Sequence, residues 1–280
     1  MEFLRRLLSR TTAHAPAVTS VSHATRHLRY GQISDVGRVR ETNQDACLAF
    51  VSCEASRRAA PDFGLFIVAD GMGGHEHGER ASGLTARVIA DYMADHAFLP
   101  MLSRNGHYEV ETLAETLNDA IRAANAAVSD RVPNGGTTLT AAAIYGAWAY
   151  LTHVGDSRAY LVADAAMAQL TRDHSLVQRL IELKQLTPEQ AAEHPHRNVL
   201  YRAVGQTDYI ELDSSVVHLP PAARLLLCSD GLWSVVPEAT IAEIVATVPD
   251  PQQACVALAK EANAGGGPDN VTAVVIHMPG

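Results

Sequence analysis

Cysteine is scarce in this chain: Cys47, Cys53, Cys228 and Cys255 are the four among 280 residues. None forms a C-x-x-C pair, and no His/Cys cluster has zinc-ligand spacing, which argues against a disulfide framework or a zinc finger. Four small thiols of this kind read as buried hydrophobes in a reducing compartment. No apolar run approaches the ~20 residues that a bilayer-spanning helix needs. Positive charge is also short, with Lys+Arg 22 against Asp+Glu 31, a net charge of −9 and a pI near 5.8. A dedicated nucleic-acid binder would carry a basic patch, so that class is disfavoured. Between residues 30 and 277 there is no linker composition, low-complexity tract or internal repeat, so one compact domain is the economical reading.

What is present is ordinary globular material, 47% apolar and 19% charged, far from the signature of disorder. The opening Met1-Glu-Phe-Leu-Arg-Arg-Leu-Leu-Ser-Arg10 is too short and too interrupted by arginine for a secretory signal. Residues 1–28 are expected to be a mobile extension, with an amphipathic docking helix as the other possibility. The folded body then runs from 29 to 280.

Within it, residues 63–69 read as a buried strand that ends at Asp70-Gly71. Apolar residues at helical spacing predict a helix over 79–97 and a second over 113–128. Residues 137–145 and 147–154 read as paired strands turning near Gly146, and 159–162 with 167–170 as a further hairpin. An apolar strand at 224–228 runs into Ser229-Asp230-Gly231. Helices over 241–248 and 252–262 follow, and a valine-rich strand over 270–278 closes the chain. Helices grouped in this way, rather than alternating with strands, predict an α+β fold.

Four acidic sites share one context: Asp70-Gly71, Gly155-Asp156, Asp230-Gly231 and Asp269-Asn270. Three follow a predicted strand and the fourth precedes one. Strand ends can meet at one sheet edge, and adjacent glycines let the backbone turn closely around a bound ion. Crowded carboxylates repel unless they are protonated or neutralised, and hard divalent cations take oxygen ligands. Any one Asp-Gly alone is a common turn dipeptide. Together they point to an oxygen-ligand metal site.

The motifs then combine. Ser34-Asp-Val-Gly-Arg-Val-Arg-Glu-Thr-Asn-Gln-Asp45, Ala69-Asp-Gly-Met-Gly-Gly-His75, Gly136-Thr-Thr-Leu139 and Val154-Gly-Asp-Ser-Arg158 occur in that order. Thr171-Arg-Asp-His-Ser175, Cys228-Ser-Asp-Gly-Leu232 and Gly266-Gly-Pro-Asp-Asn-Val-Thr272 follow. This ordered set resembles the metal-dependent protein phosphatases of the PPM, or type 2C, family, in its bacterial form. The resemblance implies a four-layer αββα sandwich, with two central antiparallel sheets flanked by helix pairs and a metal centre at one end. It implies hydrolysis of phosphoserine and phosphothreonine in proteins by a water activated at two Mn²⁺ or Mg²⁺ ions, with a third ion possible.

The resemblance also implies roles for individual residues. Asp70 bridges two ions and the Gly71 carbonyl completes one coordination sphere. Asp230 and Asp269 hold the second ion, Asp45 supports the centre, and Asp156 serves a third. Arg40 binds the substrate phosphate, for which a guanidinium fork is apt. Met72 stands where eukaryotic members have histidine, so His75 is the candidate proton donor, with His77, His194 and His196 behind it. Gln44 stands where many members have glutamate. Residues 174–205 resemble a mobile flap beside the cleft, from which Asn198 approaches substrate or the third ion. The expected setting is a cytoplasmic monomer that acts on phosphoproteins and opposes a Ser/Thr kinase, without nucleic acid. The rivals are a catalytically silent phosphoprotein-binding relative and a two-metal nuclease or phosphodiesterase. Intact Arg40 and aspartates count against the first, and the acidic charge against the second.

Overall fold

Strand β3 (Phe63–Met72) sets the architecture, because its first seven residues are all buried. Side chains alternate along a strand. Leu65 and Ile67 enter one apolar cluster, and Phe66 and Val68 enter another. A strand apolar on both faces must be covered twice. On one side the cover is α1 (Glu76–Met93) and α3 (Val110–Arg131), through Ala81, Ile89, Met93, Leu117 and Ile121. On the other it is a second sheet, which offers Leu161, Leu225, Leu227, Val274 and Ile276.

In the computed structural model, which describes residues 27–53, 61–73, 76–103, 110–163 and 166–280, this gives four layers. The first sheet has the order β2-β3-β5-β6-β9, with β4 paired to β3. Its strands are β2 (Asp45–Ser52), β3, β4 (Gly136–Thr137), β5 (Leu139–Tyr145), β6 (Trp148–Val154) and β9 (Asp213–His218). The second has the order β1-β11-β10-β7-β8. It is built from β1 (Arg29–Asp35), β7 (Arg158–Ala163), β8 (Ala166–Gln169), β10 (Arg224–Cys228) and β11 (Val271–His277). All these pairings are antiparallel. Beyond the second sheet, Ile241 and Val245 of α6 (Glu238–Thr247) and Cys255 and Leu258 of α7 (Pro251–Ala264) pack on Tyr160, Leu226 and Val275. The αββα sandwich implied by the resemblance is the fold found.

Two of the predicted elements depart from the sequence reading. The first predicted helix does not run unbroken to residue 97: α1 ends at Met93, and a π turn (Ala94–Phe98) leads into α2 (Leu99–Ser103). The wider turn brings Phe98 against Phe50 and Phe63, with ring centroids 4.8 and 5.8 Å away. The second departure is at Asp70, which lies inside β3 rather than after it. The strand continues to Met72 because Gly71 and Met72 pair with Thr137 and Gly136.

Candidate active site

Antiparallel register brings the acids together. β10 pairs with β7 so that Cys228 faces Arg158, and Asp230 and Asp156, each two residues beyond that last pair, lie close enough for their charges to oppose each other. Cys228 also faces Ala273 on β11, which places Asp269, two residues before that strand, at the same sheet edge. In the other sheet, Asp45 directly opposes Asp70. The sheets meet here: Ser229 Oγ donates to Asp45 Oδ2 at 2.8 Å, and the Asp70 and Asp230 carboxyls are within hydrogen-bonding reach. Sequence-distant aspartates thus share one end of the sandwich.

The backbone around them is tightly held. The Asp70 carbonyl accepts from Thr138 N–H and Thr137 Oγ1, both at 2.8 Å, and Asp70 N–H donates to Thr138 Oγ1 at 3.0 Å. Gly71 N–H donates to the Gln44 carbonyl, and a β-carbon at Gly71 would lie 2.2 Å from the Gly78 carbonyl oxygen. At position 231, a β-carbon would lie 2.0 Å from the Asn270 carbonyl oxygen. Only glycine fits at either position. Asn270 fastens the β1–β2 loop: it donates to the Val36 and Thr42 carbonyls and accepts from Gln44 N–H. That loop presents Arg40, whose guanidinium donates to Asp269 Oδ2 at 2.7 Å and also feels Asp230 and Asp70.

Burial, reinforced by the neighbouring acids, pushes the Asp45 carboxyl up to about 7 and Asp230 up to about 6. Asp70 and Asp156 are likewise held well above the usual carboxylate range, burial being the first cause and other aspartates the next. Asp45 Oδ1 and Asp230 Oδ1 are buried without a hydrogen-bond partner. Orphaned buried carboxylate oxygens beside further carboxylates are the donor set that hard divalent cations take. The residues therefore fit such ions.

A cavity of about 640 Å³ adjoins the acids, lined by Asp156, Asp230, Asp269, Trp233, Arg197 and Asn198. Its outer wall is α4 (Leu176–Glu182) and α5 (Pro188–Ala192), within the stretch read as a flap. Asn198 thus shares this cavity with the acids, and is exposed. His194 accepts from His196 N–H in a local turn, and His77 is half-buried with Nδ1 unpartnered. His75 lies outside the described residues. Gln44 acts as a strut, its side chain donating to the Gly73 carbonyl.

Sequence reasoning missed the support behind Asp156. Arg158 holds Asp173 through two guanidinium nitrogens, at 2.9 and 2.7 Å, and lies 3.5 Å over the Trp233 ring. Trp233 Nε1 donates to the Asp156 carbonyl at 3.0 Å. His174 Nδ1 accepts from Gly155 N–H at 3.1 Å, which leaves Nε2–H for Asp213 Oδ2 at 3.1 Å. The Thr171-Arg-Asp-His-Ser175 block was the available signal.

A two-sheet sandwich with buried carboxylates from both sheets at one end defines a class of metal-dependent hydrolase. Comparison with known proteins agrees: the family described as Protein phosphatase 2C matches residues 37–260. The chain belongs to that family. Among its relatives, the serine/threonine phosphatase Stp of Listeria innocua is 35% identical over 245 residues, 87% of this chain and 93% of its own length. The crystal structure of the Mycobacterium tuberculosis serine/threonine phosphatase PstP/Ppp superposes with a TM-score of 0.75 at 36% identity, covering 90% of this chain and 99% of that one. A catalytic-domain structure of PstP in complex with two manganese ions is 35% identical, with a TM-score of 0.72, over 89% of this chain and 97% of the other.

Proposed function

We propose that this chain hydrolyses phosphoserine and phosphothreonine in proteins at a centre held by Asp45, Asp70, Gly71, Asp230 and Asp269, with Asp156 serving a further ion. The observation that carries the reading is the convergence of buried carboxylates from both sheets, two of them with an orphaned oxygen. Similarity to a protein crystallised with two manganese ions supports Mn²⁺ or Mg²⁺ as the cation. When bound, such ions supply Lewis acidity and a nucleophilic hydroxide near neutral pH.

The chain's own residues do the rest. Arg40 fixes the substrate phosphate by its guanidinium fork and offsets charge on the equatorial oxygens, having exchanged Asp269 for substrate. The Asn270 clamp on the β1–β2 loop sets where that fork points. His75 gives a proton to the leaving alkoxide. Residues 174–205 act as the flap, and Asn198 meets the phosphoprotein from it. The catalytic domain spans 29–280. The reading extends to a cytoplasmic monomer opposing a Ser/Thr kinase. The free thiols of Cys47, Cys53, Cys228 and Cys255 fit a reducing compartment.

The test is phosphate release from a phosphothreonine peptide with MnCl₂ and with EDTA, beside Asp70→Asn. Release that needs Mn²⁺ and vanishes in the variant is expected. Folded, Mn²⁺-loaded protein that releases nothing would instead leave a phosphoprotein-binding module.

A further inference from the structure

At the opposite end of β3 from Asp70 lies a second cluster of metal-type ligands. His27 Nδ1, the Cys53 thiol and an Asp62 carboxylate oxygen lie within 4.8 Å of one another. They come from three places: the residue pair before β1, the end of β2 and the start of β3. Among the described residues no other His/Cys/Asp/Glu trio closes to that distance. Eight residues of extended chain separate Asp62 from Asp70, roughly 26 Å at the rise of a strand. The cluster is therefore separate from the catalytic carboxylates.

Its geometry goes beyond proximity. Asp62 Oδ2 accepts from Leu28 N–H at 2.6 Å, which fixes the carboxylate plane and turns Oδ1 to His27. His27 Nδ1 donates to that Oδ1 at 3.1 Å, so an entering cation takes the place of the proton between them. Nitrogen and oxygen ligands on one tetrahedral zinc, each about 2.0–2.2 Å from the ion, lie roughly 3.4 Å apart, so exchanging the proton for the ion needs only a small opening of the pair. The backbone bond to Asp62 is the kind of outer-shell contact that orients a metal-binding carboxylate. Cys53 is exposed, so its side chain has room to turn toward the other two. One nitrogen, one sulfur and one oxygen suit a borderline-soft cation rather than Mg²⁺ or Mn²⁺.

We propose that His27, Cys53 and Asp62 form a zinc-type site, with water as the fourth ligand, that pins the start of β1 to the β2–β3 edge. Binding releases the thiol proton to solvent and shifts the His27 proton from Nδ1 to Nε2, which frees the Nδ1 lone pair for the ion. The sequence conceals the site, because its ligands are 26 and 9 residues apart and meet only through strand pairing.

The test is titration of the full chain with Co²⁺, in the presence of saturating Mn²⁺, followed by the near-ultraviolet thiolate-to-cobalt charge-transfer band. Oxygen ligands at the catalytic end cannot produce that band, and Cys228 and Cys255 are buried. The expected result is one equivalent of thiolate-bound cobalt, displaced by Zn²⁺ and lost in both Cys53→Ser and His27→Ala. Zn²⁺ should also slow alkylation of Cys53 at least tenfold, and Cys53→Ser should keep wild-type Mn²⁺-dependent turnover. Absence of the band in the wild type, or its persistence in folded Cys53→Ser, would overturn the proposal. So would loss in Cys53→Ser with full retention in His27→Ala, which would show a lone thiol binding metal.

Discussion

Asp45 and Asp70 are cross-strand partners, placed directly opposite each other where β2 and β3 pair. Like charges so placed are destabilising, and burial makes the opposition worse. The pair is tolerable only when it shares protons or cations. Phosphatase chemistry therefore sits on a built-in repulsion.

That repulsion has a pH signature. Asp45 and Asp230 have folded-state values of about 7 and about 6, above the ordinary 3.8, so the folded protein keeps protons that the unfolded chain has released. Stability of the metal-free protein then falls as pH rises from about 4 to about 7, by up to ~1.4 kcal/mol per pH unit for each group. Divalent ions replace those protons. Melting at about pH 5 and about pH 8, with Mn²⁺ and with EDTA, should show the Mn²⁺ increment growing with pH. Asp45→Asn should be more stable than wild type in EDTA at the upper pH, by roughly 1 kcal/mol, and gain less from Mn²⁺. An increment that ignores pH would contradict this account.

Arg40 holds Asp269 from a surface loop, half-exposed at 51%. Arg40→Ala should raise KM for a phosphopeptide by about tenfold or more, the scale of losing a charge-assisted hydrogen bond to substrate. Arg40→Lys should recover only part of it, since an ammonium cannot reproduce the fork. Equal kcat/KM for all three proteins would remove Arg40 from the substrate site.

Asp156 is 7% exposed and its backbone is fixed by Trp233, so its carboxylate can be removed without moving the turn. Asp156→Ala should lower turnover while leaving the two tightest Mn²⁺ binding events in calorimetry in place. Loss of all Mn²⁺ binding would mean that the acid belongs to the paired centre instead.

Arg158 and Asp173 have side chains 19% and 6% exposed. Arg158→Met would leave the Asp173 charge with Gln169 as its remaining side-chain donor, and removing the charged partner of a buried pair costs roughly 3–5 kcal/mol. Urea unfolding should therefore shift clearly. A shift of a few tenths of a kcal/mol would show that solvent reaches Asp173.

The elements legible in the sequence were those with strong local signals. β10 was read at its true limits because Leu225, Leu226 and Leu227 are all buried. The turn at Gly146 was read because the strands on both sides are apolar. β9 was missed because Asp213-Ser-Ser-Val-Val-His218 faces outward along most of its length and is held by pairing with β6 rather than by burial. For the site, glycine-flanked aspartates at strand ends suggested an oxygen-ligand centre, and the ordered motifs supplied the family. The opposition of Asp45 to Asp70 and the approach of Asp230 to Asp156 were illegible, because register across distant strands is not written in local pattern. The bond from Gly155 N–H to His174 joins two loops, and the Thr171–Ser175 block was its one trace in the sequence.

The division of the acids between two sheets has a mechanical consequence. Asp45 and Asp70 ride on one slab, Asp230 and Asp269 on the other, with mostly non-directional side-chain packing between them. Each slab is stiffened by its own ladder of hydrogen bonds, whereas apolar contacts between slabs resist sliding less specifically. A shear of a few ångströms would leave helix and strand content intact yet pull the carboxylates out of register. Turnover is thus a strain gauge for the sandwich: on gentle heating or in mild denaturant it should fade before circular dichroism does.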